Sequence, residues 1–245
     1  MNNKMHFAEL DGLRGYAALT VFFSHFIGFI KETPLINSLQ ASPIRFFWNG
    51  EAAVNLFFVL SGFVLSLSLL NKRKSYLEFV FSRFFRIYPA YYFSIIVPLL
   101  CIFIFIPQNL TGLSIWANSF WHEKINFSEL VQHLILVGKP HSRLINPVIW
   151  SLAIEMKMSL FMPFFIGLLH KQSLQIQLIT LVFAYILGCT IGFFYFLPQF
   201  FLGGLLALHL NKIIDFIQYK SNALALLILI VSLVLYSNKY FAPII

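Results

Sequence analysis

Charge is what this sequence has least of. Asp, Glu, Lys and Arg together make up 11% of its 245 residues, against about 25% in ordinary globular domains. So few charges cannot solvate the surface of a soluble protein of this length, and that class is excluded. Cysteine is nearly absent as well. Cys101 and Cys189 both sit inside apolar runs, which excludes a disulfide framework and cysteine metal spacing, and they read as small hydrophobes. Gly-rich nucleotide loops, paired metal-ligand motifs, internal repeats and low-complexity tracts are also missing, so no metal site is expected. The alternating segments of about ten residues that build a membrane β-barrel are absent too.

What is there is apolar. Hydrophobic residues make up 59% of the chain, and Phe alone occurs 30 times. These residues come in blocks long enough to span a bilayer. Candidate spans cover residues 15–30, 52–70, 87–106, 147–169, 174–196, 198–210 and 223–236. The expected fold is all-α: a polytopic transmembrane helical bundle of about seven spans, forming one membrane-embedded domain over residues 1–245. The sixth run is short for a hydrocarbon core of about 30 Å and is expected to tilt, to insert only part-way or to extend at its ends. Residues 128–137 are too short and too polar to span, and suit a re-entrant or interfacial helix. Pro98 and Pro163 fall within spans, where neighbouring helices can satisfy the freed carbonyls.

The formal charge is +8. Membrane topology accounts for it better than nucleic acid does, so no nucleic-acid partner is expected. Lys72, Arg73, Lys74, Arg83 and Arg86 cluster in one connector, which the positive-inside rule makes cytoplasmic. Alternation then puts the N-terminus inside, together with Lys171, Lys212 and Lys220. The opposite loops hold Lys31, Arg45, Lys124, Lys139, Arg143 and Lys239. Glu9 and Asp11 precede the first run and no small-residue cleavage site follows it, so it is read as a transmembrane helix and not as a cleavable signal.

Ionisable groups in a span cost roughly 2.5–3.5 kcal/mol at mid-helix on insertion scales, which makes each a functional candidate. In "LDGLRGYAALTVFFSH", Arg14 and His25 are eleven residues apart. A helix puts them on nearly one face, with His25 about 16 Å deeper. Asp11 lies one turn before Arg14 and can cap the helix or hold the guanidinium. The pattern suits a charged entrance leading to a base, for which imidazole has the right proton affinity. It equally suits a core histidine bonded to a backbone carbonyl, with Arg14 snorkelling to lipid phosphates.

In "FVFSRFFRIYPAYY", Arg83 and Arg86 share a face where the third span begins. They suit a phosphate clamp, although spacing alone favours an ordinary cytoplasmic anchor beside interfacial Tyr88, Tyr91 and Tyr92. In "NPVIWSLAIEMKMSLFMP", Ser151, Glu155 and Ser159 fall on one face, with Glu155 about two turns inside the span. Glu155 suits either proton transfer and acceptor positioning or a structural pair with Arg or Lys. Lys157 points elsewhere. In "NLFFVLSGFVLS", Asn55, Ser61 and Gly62 suit close helix packing. Trp48 and Asn49 precede this helix as an interface edge.

Together these stretches resemble the acyltransferase-3 family of bacterial integral-membrane O-acyltransferases. "LDGLRGYAALTVFFSH" is similar to its opening motif, and "NLFFVLSGFVLS" to its second-helix motif. "FVFSRFFRIYPAYY" is similar to its arginine pair, "NPVIWSLAIEMKMSLFMP" to its Trp-Ser-Leu…Glu helix, and "FLPQFFLGGLLAL" to its later Phe-rich helix. All stand in family order.

The resemblance implies O-acyl transfer across the bacterial inner membrane, with membrane lipid around the bundle and the N-terminus cytoplasmic. The donor would be cytoplasmic acyl-CoA, commonly acetyl-CoA, with no permanently bound cofactor. The acceptor would be a hydroxyl of a glycan or lipid-linked saccharide: lipopolysaccharide O-antigen, peptidoglycan, exopolysaccharide or another glycoside. His25 would be the catalytic base, and Glu155 would join it by organising the acceptor side. Arg14, Arg83 and Arg86 would bind acyl-CoA. Asp11, Asn55, Ser61, Trp150 and Ser151 would support them.

Three departures stand out. The family often has Asp at the position of Asn55, and an aromatic pair near Met158 and Ser159. Its domain also usually carries more spans, so the chain reads as lacking the closing helices. That leaves two competing expectations: an inactive shortened relative, or a proton-coupled transporter using His25, Glu155 and the arginines. Transporters often show internal repeats and broken helices, which are missing here.

Overall fold

An apolar run that enters lipid has no water to bond its backbone, so it must satisfy its own N–H and C=O groups as a helix. The computed structural model follows that rule. It describes residues 8–71, 75–105, 109–121, 125–135 and 145–219. The helices are α1 (Ala8–Phe29), α2 (Pro34–Gln40), α3 (Gly50–Asn71), α4 (Tyr76–Ile104), α5 (Phe127–Leu134), α6 (Ile149–Leu169), α7 (Leu174–Thr190), α8 (Leu197–Leu208) and α9 (Leu210–Tyr219). Short 3-10 turns run over Pro43–Trp48, Ala117–Ser119 and Gly192–Phe194. Among the described residues there is no strand, only an isolated antiparallel bridge between Ile30 and Leu113. The fold is an all-α membrane bundle.

By length and composition α3, α4 and α6 can each cross a membrane, and α7 and the segment Gly192–Leu208 are shorter apolar helices. The expected run 223–236 lies outside the described residues. So do Lys72, Arg73, Lys74, Lys124, Lys139, Arg143, Lys220 and Lys239, and the last two residues of the 128–137 segment.

Several boundaries differ from the sequence expectation. α4 starts at Tyr76, eleven residues before the expected 87. A capping box explains the early start: the Ser75 hydroxyl accepts from the Glu78 N–H at 3.3 Å, and the Glu78 carboxylate accepts from the Ser75 N–H at 3.1 Å. Arg83 and Arg86 therefore lie two to three turns inside a continuous helix and not at its mouth. The fifth run ends at Thr190, because Ile191 turns extended and a 3-10 turn follows. Pro198 then opens α8 in its first turn, a position that needs no backbone donor.

α3 is the hub and packs against α1, α6 and α8, while α4 packs on α6. Gly50 abuts Ser24, so α3 starts beside the far end of α1 and returns along it. Gly62 meets Phe200 and Gly204 meets Ser66, so α3 and α8 run in the same direction. Phe58 meets Trp150 and Ser61 meets Glu155, so α6 runs that way too. Asn146 at the start of α6 donates to the Ser94 carbonyl in the second half of α4 at 3.0 Å, so these two are antiparallel. Those directions are what alternate crossings of a membrane require.

The main core joins Phe58, Leu65, Met158, Met162, Phe165 and Phe200. A second core joins Tyr91, Ile95, Ile145, Ile149 and Met156. At the α3–α8 crossing, Gly62 and Gly203 remove the side chains that would otherwise hold the two backbones apart.

Candidate active site

α1 begins with Glu9 and Asp11 in its first turn, where carboxylates favour the positive helix end. Asp11 also accepts from Arg14 Nη1 at 3.4 Å and forms an ion pair with it. Eleven residues on, His25 is half-buried near the other end of α1. A segment between α4 and α5 is strapped across that end. The Ser114 hydroxyl donates to the Gly28 carbonyl at 2.6 Å, and its N–H to the Phe29 carbonyl at 2.9 Å. These bonds satisfy carbonyls that a helix terminus leaves open. They also lay Trp116 against His25, with ring centroids 5.6 Å apart and planes within 17°.

His25 lines a cavity of about 530 Å³, together with Ser24, Lys31, Glu32, Gln40, Ser114 and Trp116 among others. That size falls within the range of small-molecule sites. No described residue hydrogen-bonds the imidazole, so its proton chemistry is available to a molecule in the cavity.

The arginines form a second group elsewhere in the bundle. Arg83 is nine-tenths buried, with its guanidinium 5.8 Å above the Phe79 ring. The charges of Arg86, Glu155 and Arg14 all reach it. Its Nε is buried without a hydrogen-bond partner among the described residues. Glu155 accepts from the Ser61 hydroxyl of α3 at 3.0 Å. The structure thus brings Arg14, Arg83, Arg86 and Glu155 into one electrostatic neighbourhood, attaches Asp11 through Arg14 and Ser61 through Glu155, and leaves His25 in a separate cavity.

The remaining sequence candidates have local duties. Asn55 accepts from Gln199 Nε2 of α8 at 3.0 Å. Trp150 packs on Phe58 and Phe196. Ser151 returns its hydroxyl to the Val148 carbonyl at 3.1 Å. Ser159 is fully buried and bonds the Met156 carbonyl at 2.8 Å. Of the three residues expected on one face of α6, only Glu155 is hydrogen-bonded to another helix. Lys157 places its ammonium 5.8 Å over the Phe193 ring.

Two residues escaped the sequence reading. Gln199 is an amide in an apolar helix, and the cost argument that singled out Glu155 applies to it equally. Trp116 lies far from α1 in sequence and carried no such signal.

Residues 7–243 match the family model described as an acyltransferase domain. The acyltransferase MdmB of Streptomyces mycarofaciens is 32% identical over 165 residues, covering 66% of this chain and 40% of its own length. The peptidoglycan O-acetyltransferase OatA of Listeria monocytogenes is 29% identical over 178 residues, covering 67% of this chain and 25% of its own length. The chain therefore spans less than half the length of either relative. No solved structure matches it.

Proposed function

Since the chain belongs to the acyltransferase-3 family, we propose that it transfers an acyl group, acetyl in the simplest case, from cytoplasmic acyl-CoA to a hydroxyl of a cell-envelope glycan. The membrane would be the bacterial inner membrane, with the N-terminus of α1 cytoplasmic. The observation that carries this reading is the pairing of an imidazole that no described residue hydrogen-bonds, beside a cavity at one end of α1, with a cationic group toward the other.

Coenzyme A is an anionic head on a long thin arm, and those features suit the two ends. The phosphates would meet Arg14, Arg83 and Arg86, whose guanidiniums favour bidentate phosphate contacts. The Nε of Arg83, which has no hydrogen-bond partner among the described residues, supports that use. Glu155, held by Ser61, supplies a counter-charge to Arg83. The arm would run along α1, about 16 Å over eleven residues, and bring the thioester to His25.

There His25 takes the proton from the acceptor hydroxyl as its oxygen attacks the thioester carbonyl. A carbon–oxygen bond forms and the carbon–sulfur bond breaks. The departing thiolate recovers the proton from the imidazolium, which leaves an ester, free thiol and neutral His25. A glycan hydroxyl as acceptor is supported by OatA, whose name is that of a peptidoglycan O-acetyltransferase.

The test is transfer of labelled acetyl from acetyl-CoA to envelope glycan in membranes holding the chain or its His25→Ala variant. The expected result is transfer that falls at least about 100-fold in the variant. Equal transfer by both chains, or none by either when both are stably inserted, would overturn the reading.

A further inference from the structure

The cavity's aromatic wall is built with more care than a loop requires. Asn118 receives the Leu110 N–H and donates back to the Leu110 carbonyl, both at 3.0 Å. Ser114 caps α1 and also accepts from the Ala117 N–H at 3.1 Å. Ile30 and Leu113 form the antiparallel bridge. Each contact fixes the backbone on one side or the other of Trp116. The indole is then boxed in, against Phe29 at 5.3 Å and edge-on to Phe120 at 4.7 Å.

Beyond Phe29 it meets two further residues of α1, His25 and Gly28. Gly28 lies three residues after His25, on the same helical face. A Cβ there would lie 3.4 Å from the Trp116 ring, already in van der Waals contact, so a longer side chain directed at the ring displaces the indole. The tryptophan thus covers Gly28 with one edge and stacks on His25 with its face. Half-buried and hydrogen-bonded by no described residue, the imidazole is packed against this stack.

We propose that Trp116 is the positioning residue of the transfer reaction: it fixes the plane of the His25 ring against the cavity, and its π face stabilises the imidazolium that forms as the acceptor loses its proton. The second effect follows because an aromatic face attracts a cation more than a neutral ring. The inference rests on the reading of His25 as the base, and it adds a residue on a different segment to that base's machinery. The aromatic ring is what matters here, since an aliphatic side chain of similar bulk fills the space but neither stacks nor stabilises charge.

The experiment compares wild type with Trp116→Phe, Trp116→Leu, Gly28→Leu and His25→Ala in native membranes. It measures kcat and KM for acetyl-CoA in transfer to glycan, and labelled acetyl-CoA binding at equilibrium. Trp116→Leu is expected to lower kcat about 100-fold, the effect of a base displaced by about 1 Å, with donor binding and KM unchanged. Trp116→Phe should stay within about tenfold of wild type, because a smaller π face keeps most of the stack. Gly28→Leu pushes the indole off α1 without changing it, and should reproduce the kcat loss with donor binding intact.

Leu and Phe variants of equal kcat, or a kcat loss matched by lost acetyl-CoA binding in both Trp116→Leu and Gly28→Leu, would overturn the positioning role while His25 remains the base. Transfer that persists in His25→Ala would instead overturn the base assignment, and the inference with it.

Discussion

The crossing of α3 and α8 gives the sharpest stability prediction, because backbone meets backbone there. A Cβ on Gly62 would lie 2.8 Å from both Cα and C of Phe200 and closer still to its carbonyl oxygen. That is about 0.7 Å short of the roughly 3.5 Å at which carbon atoms settle. A Cβ on Gly203 would lie 2.6 Å from the Phe63 nitrogen and closer still to the Val59 oxygen. Neither backbone can rotate away as a side chain would, so the helices must separate along their contact. Separation on that scale would lengthen the 3.0 Å bond between Gln199 and Asn55 and loosen Phe58 on Phe200, now stacked at 5.3 Å. Overpacking of this kind costs about 1–3 kcal/mol or more, before those secondary losses.

Gly167→Ala is the control. Nothing lies within 4 Å of a Cβ there, and alanine suits a helix interior better than glycine by roughly 0.5–1 kcal/mol. The assay is thermal inactivation of the detergent-solubilised protein, followed by the fraction that remains monodisperse. Gly62→Ala and Gly203→Ala should lose monodispersity at clearly lower temperature than wild type, and Gly167→Ala should not. If either crossing variant matched the control, α3 and α8 would not be in backbone contact and the argument would fail.

Other outcomes follow from the polar contacts. Gln199→Leu should cost about 0.5–1.5 kcal/mol by removing the part-buried bond to Asn55, and adding Asn55→Leu should recover part of the loss, as read by the same thermal assay. Arg83→Lys should raise the KM for acyl-CoA about tenfold by replacing a guanidinium fork with a point charge; an unchanged KM would remove Arg83 from the donor site. Glu155→Gln combined with Arg83→Gln should show a coupling of about 0.5–3 kcal/mol in a double-mutant cycle on stability, and strict additivity would mean that the two charges are independent.

The sequence made the helices legible because lipid forces local hydrogen bonding, so the apolar runs among the described residues are helical wherever they pack. Boundaries were less legible where a polar cap competed with hydropathy. Ser75 and Glu78 cap α4 so that it starts eleven residues before the expected 87, and a hydropathy reading takes no account of a cap. Glu155, Arg83 and Arg14 stood out because charges are conspicuous against such a background, yet their mutual proximity depends on three helices meeting. Ser61 was read as a packing residue, and its bond to Glu155 joins positions 94 residues apart. Gly62 met its packing expectation. Trp116 could not be tied to His25 from sequence, since no periodicity links a loop to a helix that ended long before it.

The α3–α8 contact also sets an order of events during synthesis. α3 enters the membrane long before its partner exists, and Asn55 waits for a residue 144 positions later to accept from. At ordinary rates of chain elongation that interval is roughly 7–30 s. Over it, an unmatched amide and the bare backbone around Gly62 face lipid or whatever assists insertion. The early helices are thus a provisional assembly until α8 arrives to pack on α3.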